Sequence, residues 1–549
     1  MEPTFKAYFE KAVTKFWNYP SLSDFGGESF TYADVATQIA RFHTFYKQAG
    51  IVPGDKIALC GKNSSRWGMA FLATVTYGAV AVPLLHEFTP DNIHWLVDHS
   101  ESRLFFVADN LWQEISHDKM PNLEAVIVLD DYNMASCKND AIKTAWENLD
   151  KDFAAAYPNG FKAEDVNYYT HEDEELTLIN YTSGTTAASK GVMVPARALW
   201  SNLAFADDKL KFQGPGINLV SMLPMAHMYG LVFEFLYEFV VGFHIHFLRQ
   251  LAPATILKAM GTVKPDLIIA VPLIIEKIVR RGVMPVINKP HMKVLRRIPG
   301  IKNIINKKIH DKLCNTLGGK FYSVVVGGAA FSHDVEKVLK EIKFPFTVGY
   351  GMTECAPILC YQDWKLFAPQ SCGVPAHRME VKILSNDPER VPGEIVVKGP
   401  NLMLGYYKNP EATRQTIDEE GWLHTGDMGV MDKKQNVFIK GRIKNMLLGP
   451  SGQNIYPEEI EDALLSLPYV VESVVVQRNT KLVALVYPDY ETAKQNGLNT
   501  KEEIHAVIEK ERKQLNSTLP AYAQLSGFEL QDKEFEKTPK KSIKRFLYS

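Results

Sequence analysis

The chain has 549 residues, 46% of them hydrophobic, which exceeds what one hydrophobic core usually supports, so two or more globular domains are expected. Its 61 Lys and Arg residues nearly balance 63 Asp and Glu residues, and this balance gives no reason to expect a nucleic-acid partner. Six cysteines stand singly, without CxxC spacing or a secretory leader, so a cytoplasmic protein is predicted.

Short apolar runs alternate with helical patterns over roughly the first two thirds of the chain. Arg103 to Val107 and Tyr322 to Val326 are typical of buried strands, whereas Tyr32 to Ala49 and Pro90 to His99 carry helical periodicity. This alternation predicts parallel sheets covered by helices, which is the α/β class.

A segment rich in hydroxyl groups follows the strand predicted at Leu176 to Ile179. Residues Tyr181 to Gly191 read YTSGTTAASKG. Backbone N–H groups, hydroxyls and Lys190 at a strand exit can bind a polyphosphate. A P-loop is excluded because Ser189 precedes this lysine and a glycine follows it. A nucleotide site and an ordinary surface loop remain the two interpretations.

The most apolar stretch of the chain runs from Leu231 to Leu248. It contains Glu234, Glu238, His244 and His246, so we predict buried core rather than a membrane span.

A basic run follows. Between Glu276 and Lys312 there are eleven basic residues and only two acidic ones, Glu276 and Asp311. A solvated face explains such a run, but the interleaved Ile, Val and Leu also suit an anionic membrane surface or an anionic ligand. Residues 277–312 are therefore a candidate for peripheral membrane contact.

Three later segments contain glycines or polar side chains that are suited to ligand binding. Val324 to Ala330, VVVGGAA, ends a strand in glycines, where a backbone can pass close to a flat ligand such as adenine or simply turn. Thr347 to Pro357, TVGYGMTECAP, gathers an aromatic ring, a hydroxyl and a carboxylate, which suit stacking, phosphate contact and Mg²⁺ coordination. Trp422 to Gly429, WLHTGDMG, places Asp427 where it can accept ribose hydroxyls or cap its own turn.

The pattern of predicted strands and helices changes toward the C-terminus. Glu380 to Ile383, Gly393 to Val397 and Asn436 to Ile439 predict a smaller antiparallel sheet or barrel. A Gly-rich basic joint, Ile439 to Glu461, then leads into a helix, a hairpin and a second helix, enough for a small α+β domain. A linker and a moving hinge use the same residue types.

Taken together, YTSGTT..SKG, GYGMTE, HTGD, GR.KN and NIYPEEIE resemble the acyl-adenylating superfamily of acyl-CoA synthetases, peptide-synthetase adenylation domains and firefly luciferases. They occur in that family's order and roughly its spacing, over about residues 10–549. The resemblance implies an α/β multi-domain protein. Residues 1–441 would form a large N-terminal domain of two α/β subdomains plus a distorted β-barrel, and 442–549 a small mobile α+β domain with its hinge near 442–445.

The same resemblance implies a two-step reaction. A carboxylate attacks the α-phosphate of Mg·ATP to give acyl-AMP and pyrophosphate, and a thiol, usually that of coenzyme A, then displaces AMP. No protein nucleophile is needed, because the chemistry depends on stabilising charge on the phosphates and the leaving group.

The resemblance also implies roles for individual residues. Those that would bind the β- and γ-phosphates are Thr182, Ser183, Gly184, Thr185, Thr186 and Lys190. The residues that would surround adenine are Gly328, Ala329, Tyr350 and Gly351. Thr353 would contact the α-phosphate and Glu354 would hold Mg²⁺. Asp427 and Arg442 would bind ribose. Lys444 matches the hinge position, Gly452 the loop near the pantetheine arm, and His227 the place beside the carboxylate.

Two departures from the family pattern stand out. Ala187 and Ser189 replace the usual Gly and Pro of the phosphate loop. Ser542 stands where the family has its adenylation lysine, and we expect Lys541 to take that role, with Lys540 and Lys544 as alternatives. These lysines also fit a solvated tail.

The acyl substrate is inferred from Leu223 to Tyr229, LPMAHMY, which matches the segment lining the acyl pocket. Amino-acid-activating relatives carry an aspartate just after this point, where this chain has Tyr229, Gly230 and Leu231, so an amino acid is disfavoured. A medium- or long-chain fatty acid is the leading substrate, followed by an aryl or other small carboxylate. The alternatives are an acyl-AMP ligase that loads a carrier-protein thiol and a catalytically lapsed ATP- or acyl-binding protein.

Overall fold

The computed structural model describes residues 4–182, 189–212, 214–449, 453–479, 481–538 and 543–548. Parallel sheets with helices on their faces occupy the region before about residue 350, and antiparallel sheets follow. The α/β multi-domain class predicted from the sequence is confirmed.

The largest sheet has eight strands, of which the central five run parallel. Its interior is apolar on both faces, as expected for a sheet that helices cover. In spatial order the strands are Gly405–Tyr406, Lys190–Pro195, Leu176–Thr182, Val80–Leu84, Lys56–Cys60, Ser102–Val107, Ala125–Val128 and Met134–Cys137.

Helices pack on this sheet because their apolar residues recur at helical spacing. In Tyr32–Gln48, for example, Thr31 and Asp34 form a capping box that starts the helix, and Val35, Ile39 and other apolar residues are buried. The helices of this region are Phe5–Lys15, Tyr32–Gln48, Ser65–Thr76, Pro90–His99, Asp109–Trp112, Asp140–Glu147, Leu149–Ala156 and Ala196–Leu210.

Two further sheets form the second α/β layer. A four-stranded sheet contains, in spatial order, Ile217–Ser221, Phe243–Phe247, Pro20–Asp24 and Ser29–Thr31. A three-stranded parallel sheet contains Ile268–Ala270, Val324–Val326 and Phe346–Val348. The helices of this layer are Met228–Leu231, Tyr237–Val241, Pro253–Val263, Pro272–Gly282, Met284–Ile287, Pro290–Leu295, Pro299–Thr316 and His333–Glu341.

The apolar stretch 231–248 is buried as predicted. It comprises the π-helical turn Val232–Leu236, the helix Tyr237–Val241 and the strand Phe243–Phe247. None of the described helices combines the length and the apolar character needed to cross a membrane.

The antiparallel region consists of two sheets in place of a closed barrel. Within the described part of the chain, the strands form one three-stranded and one four-stranded sheet that do not join into a ring. The three-stranded sheet contains Tyr350–Gly351, Ile358–Tyr361 and Val374–Pro375. The four-stranded sheet contains Glu380–Leu384, Gly393–Lys398, Leu423–Met431 and Val437–Arg442. In the sequence, the helix Pro410–Thr416 lies between Gly393–Lys398 and Leu423–Met431.

The C-terminal residues have a hydrophobic cluster of their own, which includes Ile460, Ala484 and Ile508. The predicted hairpin is present, and a third strand joins it in parallel. The elements are the short strands Leu447–Leu448 and Asn454–Ile455, the helices Pro457–Leu465, Tyr490–Gln495 and Lys501–Asn516, and the strands Val470–Arg478, Lys481–Pro488 and Leu525–Leu530.

Candidate active site

A cavity lies at the carboxyl ends of the parallel strands Val324–Val326 and Phe346–Val348, where open α/β sheets commonly bind ligands. It encloses about 660 Å³ of space that protein atoms do not fill, part of it open to solvent. The predicted site residues His227, Gly328, Tyr350, Gly351 and Thr353 all line it.

Glycines bring the backbone close to this cavity. Gly328 has φ of +87°, a left-handed conformation that favours glycine, and a Cβ there would meet nothing nearer than 3.9 Å. A Cβ on Gly351 would lie 2.2 Å from the carbonyl oxygen of Pro357, so a side chain cannot fit without moving the backbone. The first glycine is required by conformation and the second by space.

Tyr350 links the cavity to a buried carboxylate. Its hydroxyl donates to Asp427 Oδ2 at 2.6 Å, and Arg442 Nε lies 3.1 Å from Asp427 Oδ1. Asp427 and Arg442 face each other across the antiparallel strands Leu423–Met431 and Val437–Arg442. The residues predicted to bind ribose are therefore brought together beside the aromatic ring predicted to contact adenine.

Burial shapes the electrostatics of this group. It raises the pKa of Asp427 above the usual range, although the positive charge of Arg442 and the Tyr350 hydrogen bond oppose the shift. Burial, with the neighbouring Asp427, also raises the pKa of Tyr350 well above its usual value. Tyr350 therefore stays protonated at neutral pH and remains a hydrogen-bond donor.

A second cluster joins Lys190, Tyr406 and Glu354. The Lys190 ammonium lies 4.7 Å from the centre of the Tyr406 ring, and the Tyr406 hydroxyl donates to Glu354 Oε1 at 2.9 Å. The other carboxylate oxygen of Glu354 has no hydrogen-bond partner within the described ranges. Tyr406 thus links Lys190 to Glu354, which directly follows the cavity residue Thr353 in the sequence.

The predicted phosphate loop begins and ends at this cluster. Thr182 and Lys190 pair across antiparallel strands, and the Thr182 hydroxyl donates to the Lys190 carbonyl at 3.4 Å. The loop residues Ser183, Gly184, Thr185 and Thr186 lie outside the described residues, as do Gly452, Lys540, Lys541 and Ser542.

The remaining predicted residues do not line the cavity. Ala329 is exposed next to Gly328. Lys444 is exposed in the 3₁₀ turn Ile443–Asn445, directly after the strand that carries Arg442. Lys544, an alternative to Lys541, forms an ion pair with Glu536 at 3.4 Å.

His227 stands on the apolar side of the cavity. It precedes the short helix Met228–Leu231, and its Nδ1 accepts the backbone N–H of Tyr229 at 3.3 Å. Tyr229 also donates its hydroxyl to the Val325 carbonyl at 3.1 Å, so the segment is fixed to the neighbouring strand.

Glu234 fixes the chain that leads to His227. It is fully buried in the π-helical turn, and its Oε2 accepts from the backbone N–H groups of Met222 and Leu223 at 2.9 and 2.7 Å and from the Ser221 hydroxyl at 3.1 Å. Burial raises the pKa of Glu234 to about 8, despite these hydrogen bonds.

Asn63 fixes the same chain from the other side. Its side chain donates to the Leu223 carbonyl at 2.6 Å and accepts from the Met225 backbone N–H at 2.9 Å. Glu234 and Asn63 thus define the path of the segment that places His227.

These two residues and Tyr406 were not predicted as part of the site. The charges inside the apolar stretch are the only sequence signal for Glu234, and they indicate a buried segment without showing what this carboxylate binds. Asn63 and Tyr406 belong to none of the segments singled out in the sequence, and only the folded chain brings them here.

The chain belongs to the AMP-binding enzyme family, which matches residues 9–407, and the C-terminal domain of AMP-binding enzymes matches residues 445–548. This confirms the resemblance inferred from the motifs. The chain is 26% identical over 492 residues to a long-chain-fatty-acid–CoA ligase of Escherichia coli O6:H1, covering 84% of this chain and 81% of that protein. It is also 26% identical over 506 residues to 4-coumarate–CoA ligase 4 of Arabidopsis thaliana, covering 88% and 81%.

A solved structure has the same fold. The anthranilate CoA ligase AuaEII, in complex with anthranoyl-AMP, superposes with a TM-score of 0.78 at 19% identity and covers 100% of this chain and 97% of that chain.

Proposed function

We propose that the protein is an AMP-forming acid–thiol ligase that converts a medium- or long-chain fatty acid into its coenzyme A thioester. The observation that carries the proposal is a cavity with mostly apolar walls that Tyr350 and Thr353 line. The Tyr350 hydroxyl bonds to the Asp427–Arg442 pair, and Glu354, which Tyr406 links to Lys190, follows Thr353 in the sequence.

In the first step, an oxygen of the fatty acid carboxylate attacks the α-phosphorus of ATP. A P–O bond forms, the bond to pyrophosphate breaks, and acyl-AMP results. In the second step the thiol sulfur attacks the acyl carbon, the C–O bond to AMP breaks, and the thiol proton leaves to solvent.

The residues present fit the nucleotide. Adenine would pass close to the backbone at Gly328 and contact the ring of Tyr350, and ribose hydroxyls would hydrogen-bond to Asp427 and Arg442. Lys190 would neutralise phosphate charge, with the loop residues Ser183 to Thr186 alongside.

Mg²⁺ would be held by Glu354, whose second oxygen is not engaged. The described residues contain no cluster of three or more potential ligands, and one carboxylate plus substrate phosphates is a common way to bind this ion. Bound there, Mg²⁺ would supply positive charge at the phosphates.

The lining of the cavity favours a hydrophobic monocarboxylic acid. Within the described ranges it contains no Asp, Glu, Lys or Arg. An ammonium group or a second carboxylate on the substrate would therefore be buried without a partner, which is costly. Phe205, Leu210, Phe233 and Ile269 would contact the alkyl chain. The names of the relatives, which include fatty-acid and coumarate ligases, are consistent with this class.

Residues 442–549 would form the mobile C-terminal domain, turning about 442–445 between the two steps. Lys541 would then reach the α-phosphate in the first step and Gly452 would lie near the pantetheine arm in the second.

Pyrophosphate release from Mg·ATP, measured with acids from acetate to palmitate and with coumarate, tests the proposal. We expect release to be greatest with medium- or long-chain acids and acyl-CoA to form when coenzyme A is added. Acyl-AMP without acyl-CoA would indicate a carrier-protein thiol as the acceptor, and no turnover with any acid would contradict catalysis.

A further inference from the structure

The connection between the strands Ile268–Ala270 and Val324–Val326 is much longer than the crossover of parallel strands requires. It contains four helices, of which Pro290–Leu295 and Pro299–Thr316 carry an exposed surface. We call residues 289–308 the cationic helical surface.

Large apolar side chains are exposed on this surface. Val294, Ile298 and Ile304 are 61%, 48% and 60% exposed, and Leu295 and Ile301 are 37% exposed. Isolated exposed apolar residues are ordinary, but five within eleven positions form a patch of the kind that marks an interaction site.

Unpaired positive charge surrounds the patch. Lys289, Lys293, Arg297, Lys307 and Lys308 are exposed, and none of them forms an ion pair with a described residue. At 100° per residue, Ile301, Ile304 and Lys308 fall within one 60° sector of the helix Pro299–Thr316.

Other basic residues of the run serve the fold. Arg296 and Lys302 form ion pairs with Glu341 at 2.6 and 2.7 Å, and Arg280 pairs with Asp334 at 2.8 Å. The surface is therefore held against the helix His333–Glu341 while its apolar and unpaired cationic residues point away.

We propose that the cationic helical surface docks the protein on an anionic lipid membrane. Interleaved aliphatic and basic side chains match the boundary between headgroups and acyl chains, where the aliphatic groups insert and the cations pair with lipid phosphates. A protein partner fits less well, because protein interfaces are enriched in aromatic residues and depleted in lysine, whereas this surface has no aromatic ring other than that of His291.

Docking would be peripheral, since no described helix is long and apolar enough to span the bilayer. The proposal does not depend on which acid the enzyme activates.

Co-sedimentation of the full chain with lipid vesicles tests whether this surface binds an anionic membrane. We expect binding to vesicles of phosphatidylcholine mixed with phosphatidylglycerol at low salt, weaker binding at high salt, and little binding to phosphatidylcholine alone. Lys307→Gln/Lys308→Gln should weaken binding by about fivefold for each charge removed. Ile301→Ser/Ile304→Ser should weaken it at high salt as well as at low salt.

Matched controls exist elsewhere on the surface. Lys433→Gln/Lys434→Gln removes two exposed lysines from a turn, and Leu366→Ser/Val391→Ser removes two exposed apolar groups. Neither should change binding. Failure of the wild-type chain to bind anionic vesicles at low salt would overturn the proposal, as would equal binding by surface and control variants. A dimer in light scattering that Ile301→Ser/Ile304→Ser abolishes would instead show that a second copy covers the surface.

Discussion

Asp427 is the most constrained ionisable residue of the candidate site. Tyr350 and Arg442 engage its two oxygens, and burial makes the charged form dependent on both. In the proposed complex, ribose hydroxyls would also hydrogen-bond to these oxygens. Tyr350 would then have two separate roles. Its ring would contact adenine and its hydroxyl would orient Asp427.

Replacing Tyr350 by Phe separates these roles. The ring remains but Asp427 loses a hydrogen bond to a charged acceptor, so we expect the KM for ATP to rise about tenfold with a smaller change in kcat. Steady-state pyrophosphate release measures both. The control is Tyr168→Phe, which removes a buried hydroxyl that has no partner among the described residues. An unchanged KM in Tyr350→Phe would contradict the assignment.

Replacing Glu354 by Gln tests the metal site. The change keeps a hydrogen-bond acceptor for Tyr406 but removes the negative charge, so adenylation should fall by about 100-fold or more and require a higher Mg²⁺ concentration. Pyrophosphate release titrated with Mg²⁺ shows both effects. Tyr406→Phe keeps the charge and should leave the Mg²⁺ requirement within about twofold, and a Glu354→Gln enzyme with normal Mg²⁺ dependence would rule out this ligand.

At the scale of elements, the π-helical turn Val232–Leu236 contains a buried acid, Glu234, that holds a neighbouring segment in place. Glu234 accepts three hydrogen bonds through one oxygen, while its other oxygen has no partner among the described residues. Burial outweighs these hydrogen bonds, which favour the charged form, so the acid is favoured in its protonated form.

Glu234→Gln should alter the pH dependence of stability. Burial raises the pKa of Glu234 from 4.5 to about 8, so the folded state keeps a proton that the unfolded state loses first. The contribution to stability is complete below pH 4.5 and is lost as the pH rises through about 8, by about 5 kcal/mol in all. Gln cannot ionise, so the variant should show a flatter profile. Urea unfolding across this pH range measures the difference.

The exposed Glu389→Gln serves as the control for that profile and should follow the wild type. If Glu234→Gln keeps the wild-type slope, the acid is not protonated in the folded state.

Local signals were enough to place many elements. The helix Pro90–His99 was predicted with its observed ends from its helical periodicity. In the structure Thr89 caps it and Pro90 occupies its first turn. The strand predicted at Tyr322 to Val326 is shorter, Val324–Val326, because its pairing with both neighbours begins only there. Pairing partners are distant in sequence, so a single segment cannot reveal where its ladder starts.

At the scale of the whole molecule, polar contacts cross the domain boundary that the sequence predicts near residue 441. Lys440 pairs with Glu459 at 2.9 Å, and His333 lies 3.4 Å from Asp462 across the boundary. Polar contacts of this kind suit a domain that moves, as we propose for the two-step reaction.

Lys444→Pro tests that motion. Proline fixes φ near −65°, so rotation about the joint should be hindered. We expect one half-reaction, acyl-AMP formation or thioester formation, to fall by about tenfold or more while the other stays within about threefold. Single-turnover assays of each half-reaction measure this.

The control is Lys433→Pro, in an exposed turn where the residue occupies the position that proline favours. It should leave both half-reactions unchanged. Equal losses of both steps in Lys444→Pro would contradict a hinge at 442–445.

The sequence by itself predicted the class of fold and the family, because glycines, hydroxyls and hydrophobic periodicity act over short stretches of chain. It also predicted a set of site residues, five of which line the cavity. Only the tertiary structure decided that Tyr350 orients Asp427, 77 residues away, that Asn63 and Glu234 hold the segment of His227, and that Ile301 and Ile304 remain exposed. Those contacts and exposures depend on which residues, distant in the sequence, pack around a side chain and exclude water from it. Burial, and the pKa values it sets, exist only once the chain has folded.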